Sequence, residues 1–243
     1  MRGLTWTVGS TRIVDDVTFD VADGEFVAVI GPNGAGKTSL FNLISGLIRP
    51  TAGSVTLDGV DLTAAPPHRR ARLGLGRTFQ SSSVFPALTV RENVRIAAAR
   101  RGGWLGVGGG GASADRAASS AAEAALDDVG LSSHAADLAG TLSHGDKRKL
   151  ELAVLLATEP RIMLLDEPMA GVATGDVPAL TELIREIHRA GRPVLMVEHH
   201  MEVLLGLADR VAVMHHGALL AIDTPARVMD DETVQHAYVG EPL

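Results

Sequence analysis

Gly31-Pro32-Asn33-Gly34-Ala35-Gly36-Lys37-Thr38 satisfies the pattern G-x-x-x-x-G-K-[ST]. Immediately before it, Phe26–Ile30 is a continuous apolar run of the kind that forms a strand buried on both faces. Immediately after it, Lys37–Ser45 reads as a helix. That setting matters, because the pattern carries little weight outside a strand–turn–helix unit. Within one, Gly31, Gly34 and Gly36 let the backbone fold around an oxyanion so that successive N–H groups converge on it. The following helix turns its positive end to the same point. Lys37 is placed to reach the outer phosphate oxygens, and Thr38 to offer a hydroxyl to Mg²⁺. Gly31, Pro32, Asn33, Gly34, Ala35, Gly36, Lys37, Thr38 and Ser39 are the candidate phosphate-binding residues.

A second apolar run, Ile162-Met163-Leu164-Leu165, ends in Asp166-Glu167-Pro168. An Asp at the C-terminal end of a parallel strand beside a phosphate loop is placed to hold Mg²⁺, through water. Glu167, one residue on, would face the terminal phosphate and polarise an attacking water. The two motifs together imply nucleoside triphosphate hydrolysis or phosphoryl transfer.

Outward from these motifs, strand and helix signals alternate. Val14–Asp20, Ser54–Leu57 and Val194–Val197 read as strands, and Gly145–Ala157 and Val177–Arg189 as helices. An Ala-rich helical stretch runs from Val90 to Gly130, and a hairpin is expected around His216-Gly217. The expected fold is an α/β sheet in three layers with a helical insertion. Gly102 to Gly111, with Trp104 and Val107 inside it, reads as a mobile loop; no Lys follows it and no apolar strand precedes it, which argues against a second phosphate cradle.

Composition bounds the function classes. The 243 residues include no cysteine, which removes disulfides, thiolate metal sites and cysteine nucleophiles together. A formal charge of −7 argues against a general nucleic-acid binder, which must neutralise phosphates. The longest apolar runs, such as Leu152–Ala157, fall far short of the ~20 residues needed to cross a bilayer. The N-terminus lacks a basic-then-apolar leader, so a cytosolic, non-secreted chain is expected. His199-His200 and His215-His216 are not read as metal sites, because adjacent residues on a strand point to opposite faces.

Between the two phosphate motifs lies Leu142-Ser143-His144-Gly145-Asp146-Lys147, which opens a helix. It resembles the signature of the ATP-binding subunits of ABC transporters, usually Leu-Ser-Gly-Gly-Gln, with His144 and Asp146 in place of Gly and Gln. The resemblance covers essentially the whole chain. It implies a P-loop NTPase of the ABC ATPase type over residues 1–243: a RecA-like core, an N-terminal antiparallel β subdomain and a helical subdomain at about 82–160. It implies that Ser143 and Gly145 meet the γ-phosphate held by a second protomer, with two ATP sandwiched between the pair. Gln80, after Phe79, would meet Mg²⁺ and the attacking water and sense the transmembrane partner. His199, at the end of Val197-Glu198-His199, would contact the γ-phosphate. Glu167, His199 and Gln80 are thus the candidate catalytic residues, Thr38, Gln80 and Asp166 the candidate metal ligands, and ATP and Mg²⁺ the cofactors.

Gly74-Leu-Gly-Arg-Thr-Phe-Gln80, Leu88-Thr-Val-Arg-Glu-Asn93, Leu150-Glu-Leu-Ala153, Glu167-Pro-Met-Ala-Gly171 and Ala237-Tyr-Val-Gly240 resemble the branched-chain amino acid importer group, with its urea and short-chain amide relatives close. The implied partners are transmembrane permease subunits, a second ATPase subunit (identical or related) and, indirectly, a solute-binding protein, with no nucleic acid. The implied location is the cytoplasmic side of the membrane, as a peripheral subunit. The helical insertion and the segment after Gln80, with Phe85, would form a groove for a coupling helix of the permease. Two positions depart from the family pattern. The aromatic residue that usually stacks on adenine aligns to Val8, so Trp6, two residues earlier and of the same strand parity, is the candidate substitute. Ala173 stands where the loop after Glu167 usually has Asp, Asn or Ser. A P-loop small-molecule kinase would have no use for the Leu142–Gly145 helix start. A non-transport ABC ATPase usually carries tandem cassettes or a long coiled coil, and neither fits in this length.

Overall fold

The computed structural model describes residues 1–78, 84–101 and 112–238. Along the chain come β1 (Arg2–Val8), β2 (Thr11–Val17), β3 (Phe26–Ile30), α1 (Lys37–Ser45), β4 (Ala52–Ser54), β5 (Thr56–Leu57), β6 (Val60–Asp61), α2 (Pro67–Arg72) and β7 (Leu75–Arg77). Three helices follow, α3 (Val90–Arg101), α4 (Ala112–Asp128) and α5 (His144–Leu156). The remainder is β8 (Ile162–Asp166), α6 (Val177–Arg189), β9 (Val194–Val197), α7 (Met201–Leu205), β10 (Arg210–His215), β11 (Ala218–Asp223), α8 (Pro225–Asp230) and α9 (Glu232–Tyr238). The described residues divide into two units, one within Met1–Arg77, Arg161–Glu167 and Arg185–Leu243, the other within Thr78–Pro160 and Pro168–Ile184.

In the first unit a six-stranded sheet has the order β11-β10-β3-β9-β8-β7. Its pairs are parallel except β10–β11. Every residue of β3 and β9 is buried, which is why these strands read as unbroken apolar runs instead of alternating ones. Val197 pairs with both Val29 and Asp166, so the ends of β3, β9 and β8 reach one carboxyl edge together. Ligands of open α/β sheets bind at that edge. A three-stranded sheet of order β2-β1-β4 contributes Leu4, Val14 and Val17 to one apolar cluster with Val27, Val29, Leu40, Phe41, Leu43, Leu164 and Leu195. Each fully buried Leu or Phe there stabilises the unit by roughly 1.5–3 kcal/mol.

Two strands differ from the sequence reading. The expected Val14–Asp20 strand runs from Thr11 to Val17, because Val8 pairs with Thr11 across a two-residue turn at Gly9 (φ 59°) and Ser10. The expected Ser54–Leu57 strand breaks at buried Val55. Before the break it pairs with β1; after it, it pairs with β6 across Asp58-Gly59, both at positive φ.

The end of α1 is held by a residue with no signal in the sequence. Arg70, 1% exposed, donates to the carbonyls of Leu43 and Ile44 at 2.7 Å each, and to those of Ala65 and Thr63. A buried cation at a helix C-terminus answers both the open carbonyls and the dipole. Arg70→Met should cost about 3 kcal/mol, read as a fall in the urea midpoint, because those carbonyls stay buried without their donor.

In the second unit, α3, α4 and α5 pack on one another. Thr89 and Glu92 form a reciprocal cap at the start of α3: the Thr89 N–H donates to Glu92 Oε2 at 2.8 Å and the Glu92 N–H to Thr89 Oγ1 at 3.2 Å. Buried Asn93 accepts from the Phe85 N–H and donates to the carbonyls of Phe85 and Thr89, which fixes the backbone under the exposed Phe85 side chain. No helix among the described residues is long and apolar enough to cross a membrane.

Candidate functional site

The phosphate loop is shaped by what passes close to it. A Cβ on Gly31 would lie 2.1 Å from the Met214 carbonyl oxygen, and one on Gly36 2.7 Å from that of Ile13. Gly34 is required for its conformation alone (φ 80°), since its missing Cβ would point into open space. The His216-Gly217 turn between β10 and β11 braces the loop from outside: the Gly217 N–H donates to the Ala35 carbonyl at 3.1 Å and the Asp15 N–H to the Gly217 carbonyl at 2.8 Å. Lys37, 6% exposed, folds back onto the loop, its Nζ donating to the carbonyls of Gly31 (2.5 Å) and Pro32 (3.0 Å). Helix α1 has neither a side-chain cap at Gly36 nor an acid in its first turn. Asn33, Gly34 and Thr38 are exposed, and Ser39 is half-buried. A cradle of backbone N–H groups, an uncapped helix start and one ammonium fit a polyphosphate.

Asp166 closes β8 and is 2% exposed. Its Oδ2 accepts from the Arg77 guanidinium at 2.7 Å. The same guanidinium donates to Asn42 Oδ1 at 2.9 Å and Ser45 Oγ at 2.6 Å on α1, and lies 5.7 Å from the centre of the Phe41 ring. Burial pushes the Asp166 carboxyl above the ordinary Asp range; the Arg77 hydrogen bond and charge pull it back, and Glu167 adds to the rise. The Thr38 hydroxyl, the Asp166 carboxylate and the Gln80 amide would be an all-oxygen set suited to Mg²⁺, which keeps several waters and takes few protein ligands. No cluster of three or more His, Asp or Glu residues suited to a metal occurs among the described residues.

Glu167 follows directly, with a left-handed backbone (φ 49°) that a non-glycine residue adopts only when its surroundings hold it there. Its N–H donates to the Val197 carbonyl at 2.9 Å, and its Oε1 lies 3.1 Å from His199 Nε2. The structure thus brings two of the candidate catalytic residues into direct contact at the carboxyl edge of the sheet, at the ends of β8 and β9, the latter next to the β3 strand that leads into the phosphate loop. Phe79 and Gln80 lie outside the described residues, as do Gly102–Gly111 and Val239-Gly240.

Within the second unit, Ser143 caps α5: its hydroxyl accepts from the Asp146 N–H at 3.0 Å and donates to Asp146 Oδ2 at 2.8 Å. Gly145 is buried, and a Cβ there would meet Asp176 Oδ2 at 3.2 Å. Arg148 donates to the Ala170 carbonyl at 3.0 Å and to Glu151 at 2.7 Å, tying α5 to the loop that contains Ala173. The Ala173 carbonyl accepts from the Asp176 N–H, so the turn closes through the backbone without a polar side chain at that position.

In β1, pairing with β2 shifts register between Trp6 and Thr7, with the extra residue on β2, while β1 runs unbroken through Trp6 and Val8. Trp6 is partly buried against the core cluster, whereas Val8 is 53% exposed. Three further residues of the site, Arg77, Glu198 and Gly217, were not picked out from the sequence. The available signals were a charge at the end of a short apolar strand, an acid at the end of another, and a turn read as a turn only.

Residues 14–170 match the ABC transporter family. The high-affinity branched-chain amino acid transport ATP-binding protein BraF of Pseudomonas aeruginosa is 38% identical, over 99% of this chain and 97% of its own. The corresponding LivG protein of Escherichia coli K12 is 37% identical over the same shares. Among solved structures, a nucleotide-free ATP-binding cassette from an ABC transporter superposes with a TM-score of 0.84 at 27% identity, covering 99% of this chain and 98% of that one. An ATP-binding cassette in its ADP conformation gives 0.83 at 27% identity, covering 99% and 97%. The architecture is therefore the P-loop α/β fold of an ABC ATPase cassette. Since one unbroken match spans the phosphate loop, the Ser143 helix start and the Asp166-Glu167 strand end, the chain belongs to the ABC transporter family, as an ATP-hydrolysing subunit close to those of branched-chain amino acid importers.

Proposed function

We propose that this chain drives an importer of branched-chain or related small amino acids, as one of two ATPase protomers that close on two Mg·ATP and couple to a membrane permease. The Glu167–His199 contact beside the phosphate loop carries the hydrolytic part of this reading. The similarity to BraF and LivG carries the solute class. Gly31–Ser39 cradle the phosphates, with Lys37 leaving the loop carbonyls for the γ-phosphate. Thr38, Asp166 and Gln80 are the residues that would hold Mg²⁺, which when bound offsets the phosphate charge. Glu167 accepts the proton of the attacking water, and His199 holds the Glu167 carboxylate and contacts the γ-phosphate. Ser143 and Gly145 close the site of the partner protomer, which requires the Ser143 hydroxyl to exchange its bond to Asp146 for a phosphate oxygen. Trp6 is the aromatic group offered to adenine.

The helical subdomain, about residues 82–160, is the side turned to the permease, with the exposed Phe85 ring on a backbone that Asn93 fixes. The chain thereby works as a peripheral subunit on the cytoplasmic face of the membrane, with a solute-binding protein acting through the permease. Lys37→Ala tests the site. It should weaken ATP binding at least about tenfold and remove phosphate release, because a charge-assisted contact to the phosphates is lost. Unchanged binding of a fluorescent ATP analogue would refute this assignment.

A further inference from the structure

Glu198 is a buried acid to which the hydrolytic scheme gives no task. Its side chain is 2% exposed at the carboxyl end of β9. One oxygen, Oε2, accepts from the His199 N–H at 2.8 Å and from the His200 N–H at 3.3 Å, and lies 3.0 Å from His200 Nδ1. Burying a carboxylate costs free energy unless donors meet it, and here the two peptides that follow it, with one imidazole, do so. After Val194–Val197, an apolar side chain would have filled this interior position with no desolvation cost. The acid is therefore explained by what it holds.

What it holds is the main chain of His199. With that N–H anchored, only the two side-chain torsions of His199 remain to place the ring whose Nε2 lies 3.1 Å from Glu167 Oε1. The other side of the contact is anchored to the same strand end, through the Glu167 N–H to the Val197 carbonyl. Val197, the last residue of β9, and Glu198 directly after it thus hold both members of the pair, Val197 the Glu167 backbone and Glu198 the His199 backbone.

We propose that Glu198 is a positioning residue for hydrolysis, its carboxylate setting the His199 backbone so that the ring meets Glu167. The inference rests on the reading of Glu167 and His199 as the hydrolytic pair. It is tested on the full chain by single-turnover hydrolysis of labelled ATP and by binding of a fluorescent ATP analogue, with Glu198→Ala and Glu198→Gln in the wild-type and His199→Ala backgrounds. Glu198→Ala should slow turnover about tenfold while nucleotide affinity stays within about twofold. Glu198→Gln, which keeps an acceptor oxygen, should remain within about threefold of wild type. In the His199→Ala background, Glu198→Ala should change the rate by less than about twofold, since a residue acting through His199 has nothing left to act on. An equal loss in both backgrounds, or a Gln variant as slow as the Ala variant, overturns the proposal. His199→Ala turning over at the wild-type rate would overturn the hydrolytic pair itself, and this proposal with it. Should Glu198→Ala fail to fold, Glu198→Asp carries the same comparison, because it withdraws the carboxylate by one methylene and keeps the charge.

Discussion

Glu167→Gln protein should bind ATP within about twofold of wild type and release phosphate at least a hundredfold more slowly, the lower end of what a general base contributes (~10²–10⁴-fold). The substitution exchanges one oxygen for an amide nitrogen and leaves the backbone at φ 49° and its N–H bond to Val197 as they are. The phosphate loop is untouched, since its shape depends on Gly31, Gly36 and the carbonyls that pass them. What is lost is the proton acceptor, because an amide oxygen hydrogen-bonded near His199 cannot take a proton from water at neutral pH. The variant also removes a negative charge from beside the terminal phosphate. A closed, ATP-bound dimer should therefore accumulate and elute earlier on gel filtration with Mg·ATP than without it. Phosphate release at the wild-type rate would assign the base to another residue. Slow release together with lost ATP binding would show that Glu167 shapes the cradle instead.

The parts of this site visible in the sequence are those in which chemistry and backbone demand coincide locally. Gly31–Thr38 could be read because its glycines, its Lys and its flanking strand and helix all lie within one short stretch, and the structure traces each glycine to a close backbone approach or a positive φ. Asp166 and Glu167 could be read because an acid pair ending an apolar run has few structural explanations. The contact between Glu167 and His199 could not, since it depends on β8 and β9 being sheet neighbours, and pairing between strands of a parallel sheet leaves no local mark. The same holds for Gly217, whose turn appeared only as a turn until β10 was placed beside β3 and brought it against Ala35. Arg70 and Arg77 were hidden because composition places arginine at the surface, whereas both are buried here, each with its guanidinium facing α1.

Arg77→Met is expected to destabilise the chain by about 3–5 kcal/mol, the usual cost of removing one member of a buried ion pair. The Arg77 and Asp166 side chains are 6% and 2% exposed, and 2.7 Å separates guanidinium nitrogen from carboxylate oxygen. Burial already raises the Asp166 carboxyl, and both influences that lower it come from Arg77. Without them the folded-state value moves further up. A raised carboxyl destabilises the native state as pH climbs from the ordinary Asp range to the folded value, because the unfolded chain ionises first. The loss in Arg77→Met should accordingly be largest at neutral pH and shrink on acidification, in urea unfolding followed across that window. Arg77→Lys should fall between Met and wild type, since an ammonium keeps the charge but cannot span Asp166, Asn42 and Ser45 with one planar fork. Arg77→Met combined with Asp166→Leu discriminates best. If the pair is a net stabiliser, the double variant stays less stable than wild type. If the pair is maintained for the chemistry at the strand end, the double variant regains the stability of wild type or exceeds it, because neither charge then has to be desolvated. The position of Asp166 at the carboxyl edge of the sheet, where an apolar residue would serve the core better, favours the second outcome.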